Sequence, residues 1–101
     1  PYYKDQIVCT GAVLASALFY HFLLEQGVDA VFVDIRDCIV TSDDFGEAGV
    51  LEPITLSRLQ QTFIPGRTHV TQAGIGATDQ NENATLSAEG NDWVQQTIKG
   101  L

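Results

Sequence analysis

The chain has 101 residues, with 13 acidic and 5 basic side chains and a net charge of −8. That length fits one small domain, residues 1–101, and an apolar share of 45% is enough for a single core and too high for a disordered acidic tail. Scattered positive charges without a basic run exclude nucleic acid as a partner and argue against an anionic membrane surface.

Cys9 and Cys38 lie far apart, and neither belongs to a CxxC pair. They read as two small buried side chains in a reducing, cytoplasmic compartment, and no metal site is expected. Without an uninterrupted apolar run of 18 residues, no membrane span is expected. Asn83-Ala84-Thr85 matches a glycosylation sequon and reads as coincidence.

The first helix is expected over residues 10–26, with Thr10 as its N-terminal cap and Gly27 just past its end. Val13, Leu14, Leu18, Phe19, Phe22, Leu23 and Leu24 leave it almost no polar face. Such a helix is buried on more than one side, inside a larger domain or between subunits. His21 in its middle reads as a packed or interface histidine.

Residues 30–35 read as an inner strand and residues 38–41 as a second short one, with a turn at 42–46. Pro53 suits the start of a second helix with an apolar stripe of Ile54, Leu56, Leu59 and Phe63, ended by Pro65-Gly66. A third strand over 68–72 leads into a glycine turn, Gly74-Ile75-Gly76. Residues 79–83 form a polar hairpin tip and 84–86 pair back. Asn91 caps a last helix that stops at Gly100. Strands alternating with helices predict a three-layer α/β/α sandwich with a mainly parallel sheet and one antiparallel hairpin.

Three stretches carry a resemblance. They are Val33-Asp34-Ile35-Arg36-Asp37 continued through Asp43-Asp44-Phe45-Gly46-Glu47-Ala48, then Thr71-Gln72-Ala73-Gly74-Ile75-Gly76-Ala77-Thr78, then Ala84-Thr85-Leu86-Ser87-Ala88-Glu89-Gly90-Asn91-Asp92. In this order and spacing they resemble the middle of an aspartokinase, a member of the amino-acid-kinase family, from about residue 5 to about residue 93. The resemblance implies a partial amino-acid-kinase-like fold. It also implies a reaction in which ATP, with magnesium, phosphorylates the side-chain carboxylate of aspartate.

The same resemblance marks departures. Gly11 matches, but Ala12 stands where the family has a Glu for the substrate ammonium. Ala88 stands where it has an Arg for the substrate carboxylate. Asn91 replaces a Ser, Trp93 replaces a Tyr, and Ala73-Gly74 stand for Gly-Phe. Gly74, Gly76, Gly90 and Asp92 match and, with Gly11 and Asn91, are the candidate substrate-site remnants. No residue is assigned as catalytic. The phosphate-side lysine segment and the nucleotide-binding half have no match in these residues, so ATP and magnesium are expected only if another chain supplies that half.

Asp92 reads either as a substrate-facing acid or as a first-turn helix acid. Asp43, Asp44 and Glu47 read as a solvated turn, and Asp34, Arg36 and Asp37 as a structural charge cluster. His69 has no triad partner in the sequence. The expectation is an aspartokinase-like domain, inactive alone, that acts by association as a homo-oligomer or with a kinase-type partner chain. The alternatives are half of an active aspartate kinase completed by another chain, and a binding module for an amino-acid-like ligand.

Overall fold

The computed structural model describes all 101 residues. Helix α1 spans Tyr2–Glu25, strand β1 Ala30–Phe32, β2 Val40–Thr41, helix α2 Glu52–Thr62, β3 Thr68–Val70, β4 Ile75–Thr78, β5 Asn83–Thr85 and helix α3 Ala88–Lys99. A single 3-10 turn, Ile35–Asp37, separates β1 from β2.

The fold is mixed α/β with parallel strand pairing, as expected. β1 pairs with β3 in parallel, Val31 opposite His69. β2 pairs with β4 in parallel, Val40 opposite Ala77, and β4 pairs with β5 antiparallel, Gly76 opposite Ala84. The strands form two small sheets, β1-β3 and β2-β4-β5, where one sheet was expected. Asp34 causes the break. Its side chain accepts from the Arg36 backbone N–H and starts the 3-10 turn, which ends the extended run after Phe32.

Helix α1 begins eight residues earlier than expected. Thr10 is not its cap: the Thr10 hydroxyl donates to the Gln6 carbonyl, one turn back inside the helix. Gly11, expected near the helix start, therefore lies in mid-helix. Gly27 does take the left-handed conformation, φ 81°, that ends the helix.

With Tyr2 as its start, α1 becomes long and apolar enough to cross a membrane by length and composition, correcting the reading from uninterrupted runs. On one side the helix packs along β5, β1 and β3. Its inner face carries Asp5, Cys9, Ala12, Val13 and Ser16 at helical spacing. Its outer face is open, with Ile7 74%, Leu14 61% and Leu18 65% exposed. The expectation of burial on more than one side is not met within the chain. His21 is exposed on this helix, beside the ring of Tyr20.

Helix α2 buries Thr55 and Leu59, four residues apart, while Ile54 and Leu56 are exposed. The expected stripe was displaced because Thr55 Oγ1 accepts from the Val40 N–H at 3.1 Å, which turns a polar residue inward. Gly74-Ile75-Gly76 is the entry to a strand instead of a turn, since only Gly74 is left-handed, at φ 77°. Asn81, at φ 59°, makes the tight bend between β4 and β5. The core gathers Cys9, Val33, Ile35, Cys38, Ile39, Leu59, Ile75 and Val94, so every helix contributes to it.

Candidate functional site

Ser87, not Asn91, caps α3: its Oγ accepts from the Gly90 N–H at 3.0 Å. Asn91 and Asp92 follow inside the helix, so Asp92 is neither cap nor first-turn acid, and its side chain is exposed. Glu89 is the acid of the first turn.

Three segments converge on this cap. The Leu86 N–H donates to the Gly74 carbonyl at 2.9 Å. The Ser87 N–H donates to the Ala48 carbonyl and the Ala48 N–H to the Thr85 carbonyl, both at 2.9 Å. A Cβ at Gly90 would meet Ser87 Oγ and Val50 Cγ2 at 3.2 Å. Gly90 is therefore small because Val50 and the cap pack against it.

Gly74, Gly90 and Asn91 thus gather where β4, β5 and α3 meet. Gly76 faces the opposite demand: a Cβ there would lie 2.7 Å from Thr41 Cγ2 and 2.8 Å from Ile39 Cγ2. Its role is close strand packing. Gly11 stands on the open side of α1 with nothing within 4 Å of a Cβ. Ala12 is half-buried against the core.

The first turn of α3 presents Ala88, Glu89, Gly90 and Asn91. Ala88 has neither donor nor charge, so this corner carries no guanidinium to grip a carboxylate in two places. Asn91 Oδ1 and Thr71 Oγ1 are shielded from solvent without hydrogen-bond partners. An open cleft of about 310 Å³ beside β2 and β4 is lined by Asp43, Asp79 and Glu82 with Thr41, Ser42 and Thr78. Its carboxylates repel a bare polyphosphate, and its lining includes no Lys or Arg.

A second polar assembly was not anticipated from the sequence. Asp5 is 1% exposed. Its Oδ2 accepts from the Gly46 N–H at 2.8 Å and the Thr85 N–H at 2.9 Å, and its Oδ1 accepts from Thr85 Oγ1 at 2.8 Å. At the next residue, Gln6 Nε2 donates to the Asn83 carbonyl at 2.8 Å, and the Asn83 N–H donates to Gln6 Oε1 at 3.2 Å.

Strand β5 is the edge of its sheet. The outward N–H and carbonyl groups of Asn83 and Thr85 are all used by Gln6, Asp5 and Ala48. Two helix side chains therefore do for this edge what a neighbouring strand would do. The sequence signal was the four-residue step from Asp5 to Cys9, which places a carboxyl on the same face as a buried thiol.

Arg36 extends the assembly. Its Nε and Nη2 hold both oxygens of Asp34, at 2.9 and 2.6 Å, and its Nη1 donates to Asn83 Oδ1 at 2.9 Å. This hydrogen bonding with Arg36 holds the Asp34 carboxyl below the usual carboxylate range. Burial, aided by the nearby Asp5 carboxylate, pushes the Cys9 thiol up to about 11. Burial also raises Cys38. His69 hydrogen-bonds only to backbone in its own turn, to Ile64 and Arg67.

No family model matches the chain. Lysine-sensitive aspartokinase 3 of Escherichia coli (strain K12) is 29% identical over 98 residues, covering 93% of this chain and 22% of that protein. Crystal structures of E. coli aspartokinase III, one with aspartate and ADP (R-state) and one with lysine and aspartate (T-state), each superpose with a TM-score of 0.80 at 26% identity over 93% of this chain. The chain is aspartokinase-like over nearly its whole length, and it spans 22% of the length of the aspartokinases it resembles.

Proposed function

We propose that this aspartokinase-like chain works by association, as a self-assembling or regulatory module, and does not by itself phosphorylate aspartate. One observation carries the reading: α1 turns an uncharged apolar face outward. From Gln6 to Leu24 the helix contains no Asp, Glu, Lys or Arg. Tyr3, Ile7, Leu14, Leu18, Phe19 and Phe22 all lie exposed on it. Leaving such a surface in water is unfavourable, and contiguous exposed apolar patches mark interfaces. A standard interface covers roughly 800 Å² per partner, and these six side chains offer area of that order.

A second copy of the chain is the partner proposed. The face is uncharged and so self-compatible under a two-fold axis. The net charge of −8 sits elsewhere, and two copies meeting through α1 keep those charges apart.

Ala88 and Ala12 support the catalytic half of the reading. Without a cation at the start of α3, the carboxylate of aspartate has no charged partner at that corner. The test is sedimentation equilibrium beside an assay of aspartate-dependent ADP release from MgATP. The expected result is a dimer with no turnover above the no-aspartate blank. A monomer overturns the association, and turnover overturns the inactivity.

A further inference from the structure

We propose that His69 is a proton-sensitive latch on the turn between α2 and β3. This inference is independent of the association reading. The Ile64 N–H donates to His69 Nε2 at 3.1 Å, and His69 Nδ1 lies 3.1 Å from the Arg67 carbonyl oxygen. A backbone N–H only donates and a carbonyl only accepts. Both bonds together therefore require the neutral ring with its proton on Nδ1.

A second proton falls on Nε2, the atom that receives the Ile64 N–H. Two donors then face each other at hydrogen-bond distance, and the bond is lost. What remains across the turn is the 3.2 Å bond from the Arg67 N–H to the Ile64 carbonyl. Pro65 and left-handed Gly66 lie between these anchors, so His69 and this one backbone bond together close the segment.

The ring's hydrogen bonds are those to Ile64 and Arg67. The ring stacks on Phe63, with centroids 4.9 Å apart. Opposite it on β1 is Val31. The adjoining cavity, about 180 Å³, is lined by Phe63, Ile64, Pro65, Arg67, His69, Ile98 and Leu101. Arg67 is the only other charged or titratable side chain there, and it is paired with Asp29 at 3.2 Å. Phe63 and Ile98 are the outer members of the core at this end. Both are half-buried and already line the open cavity, so loss of the latch loosens the 63–69 segment that forms one of its walls.

The test is an NMR titration of the ¹⁵N-labelled chain from about pH 8 to about pH 5. At the alkaline end the His69 ring is expected as the Nδ1–H tautomer. Through its titration, Ile64 amide protection from hydrogen exchange is expected to fall at least ~10-fold beyond the intrinsic pH dependence, at the midpoint of the ring. The exposed His21 serves as the control, and its titration is expected to leave Ile64 unmoved. His69→Phe keeps the stack and removes both nitrogens, so Ile64 is expected to be unprotected at every pH. An Nε2–H tautomer, or an Ile64 amide indifferent to the ring's protonation, overturns the proposal. If the variant does not fold, the titration of the unaltered chain decides alone.

Discussion

Thr85 gives Asp5 two donors at once, its backbone N–H at 2.9 Å and its hydroxyl at 2.8 Å. The pair joins the first turn of α1 to the edge of β5, 80 residues later. With the Gly46 N–H on the same carboxyl, it fixes the 43–48 turn as well. Asp5→Ala leaves the Gly46 and Thr85 backbone donors without their acceptor and is expected to cost about 2 kcal/mol. Thr85→Val removes one bond and is expected to cost about 1.5 kcal/mol. Because both act on one carboxyl, the double variant should lose less than the sum. Urea unfolding of the four chains measures this.

Two glycines that match the same family pattern should respond oppositely to alanine. At Gly76 the new methyl meets Thr41 and Ile39 below 3 Å, and the strand pairing around it cannot give freely. Gly76→Ala is expected to lose about 2 kcal/mol or more. At Gly11 the methyl enters open space in mid-helix. Gly11→Ala is expected to gain up to about 1 kcal/mol from helix propensity. Thermal melts of both variants separate packing from ligand-binding explanations for these positions.

Much of the fold was legible because it rests on local rules. Gly27, Pro53 and the 79–83 hairpin follow from turn and capping chemistry. The parallel pairing follows from strands alternating with helices. Asp5 and Gln6 were illegible because their meaning lies 77 to 80 residues away, on an edge strand that only the folded chain presents. Thr55 was hidden for the same reason, since a polar residue turns inward only when Val40 is there to receive it. At the candidate site, the cap of α3 was not legible. Ser87 and Asn91 are equally good caps by type. The backbone bond from Ser87 to Ala48 decides between them.

Cys9 sits at 0% exposure, with its thiol raised to about 11 by burial and the adjacent Asp5. The thiolate is the reactive form. Iodoacetamide near neutral pH should leave Cys9 unmodified in the folded chain and label it after denaturation. Mass spectrometry of tryptic peptides reads the outcome, and rapid labelling of the folded chain contradicts the described environment.

Asp34 links stability to acid. Its carboxyl is held below its unfolded value by Arg36. The contribution is therefore complete above the ordinary carboxylate value of about 4 and is lost as pH falls through the lower folded value. Asp34→Asn should be less stable than the unaltered chain near neutral pH, and the difference should shrink towards zero in acid. Urea midpoints over a pH series test this, and a difference independent of pH removes the ion pair from the account.

The measurement that bears most directly on the central claim is light scattering with size exclusion on the unaltered chain and on Leu18→Glu. Leu18 is on the open face of α1, so a carboxylate there disturbs no internal packing but places like charges together in a dimer. The account predicts a dimer for the unaltered chain and a folded monomer for the variant, with matching circular dichroism. An unaltered chain that is already monomeric, or a variant that dimerises equally well, contradicts association through α1.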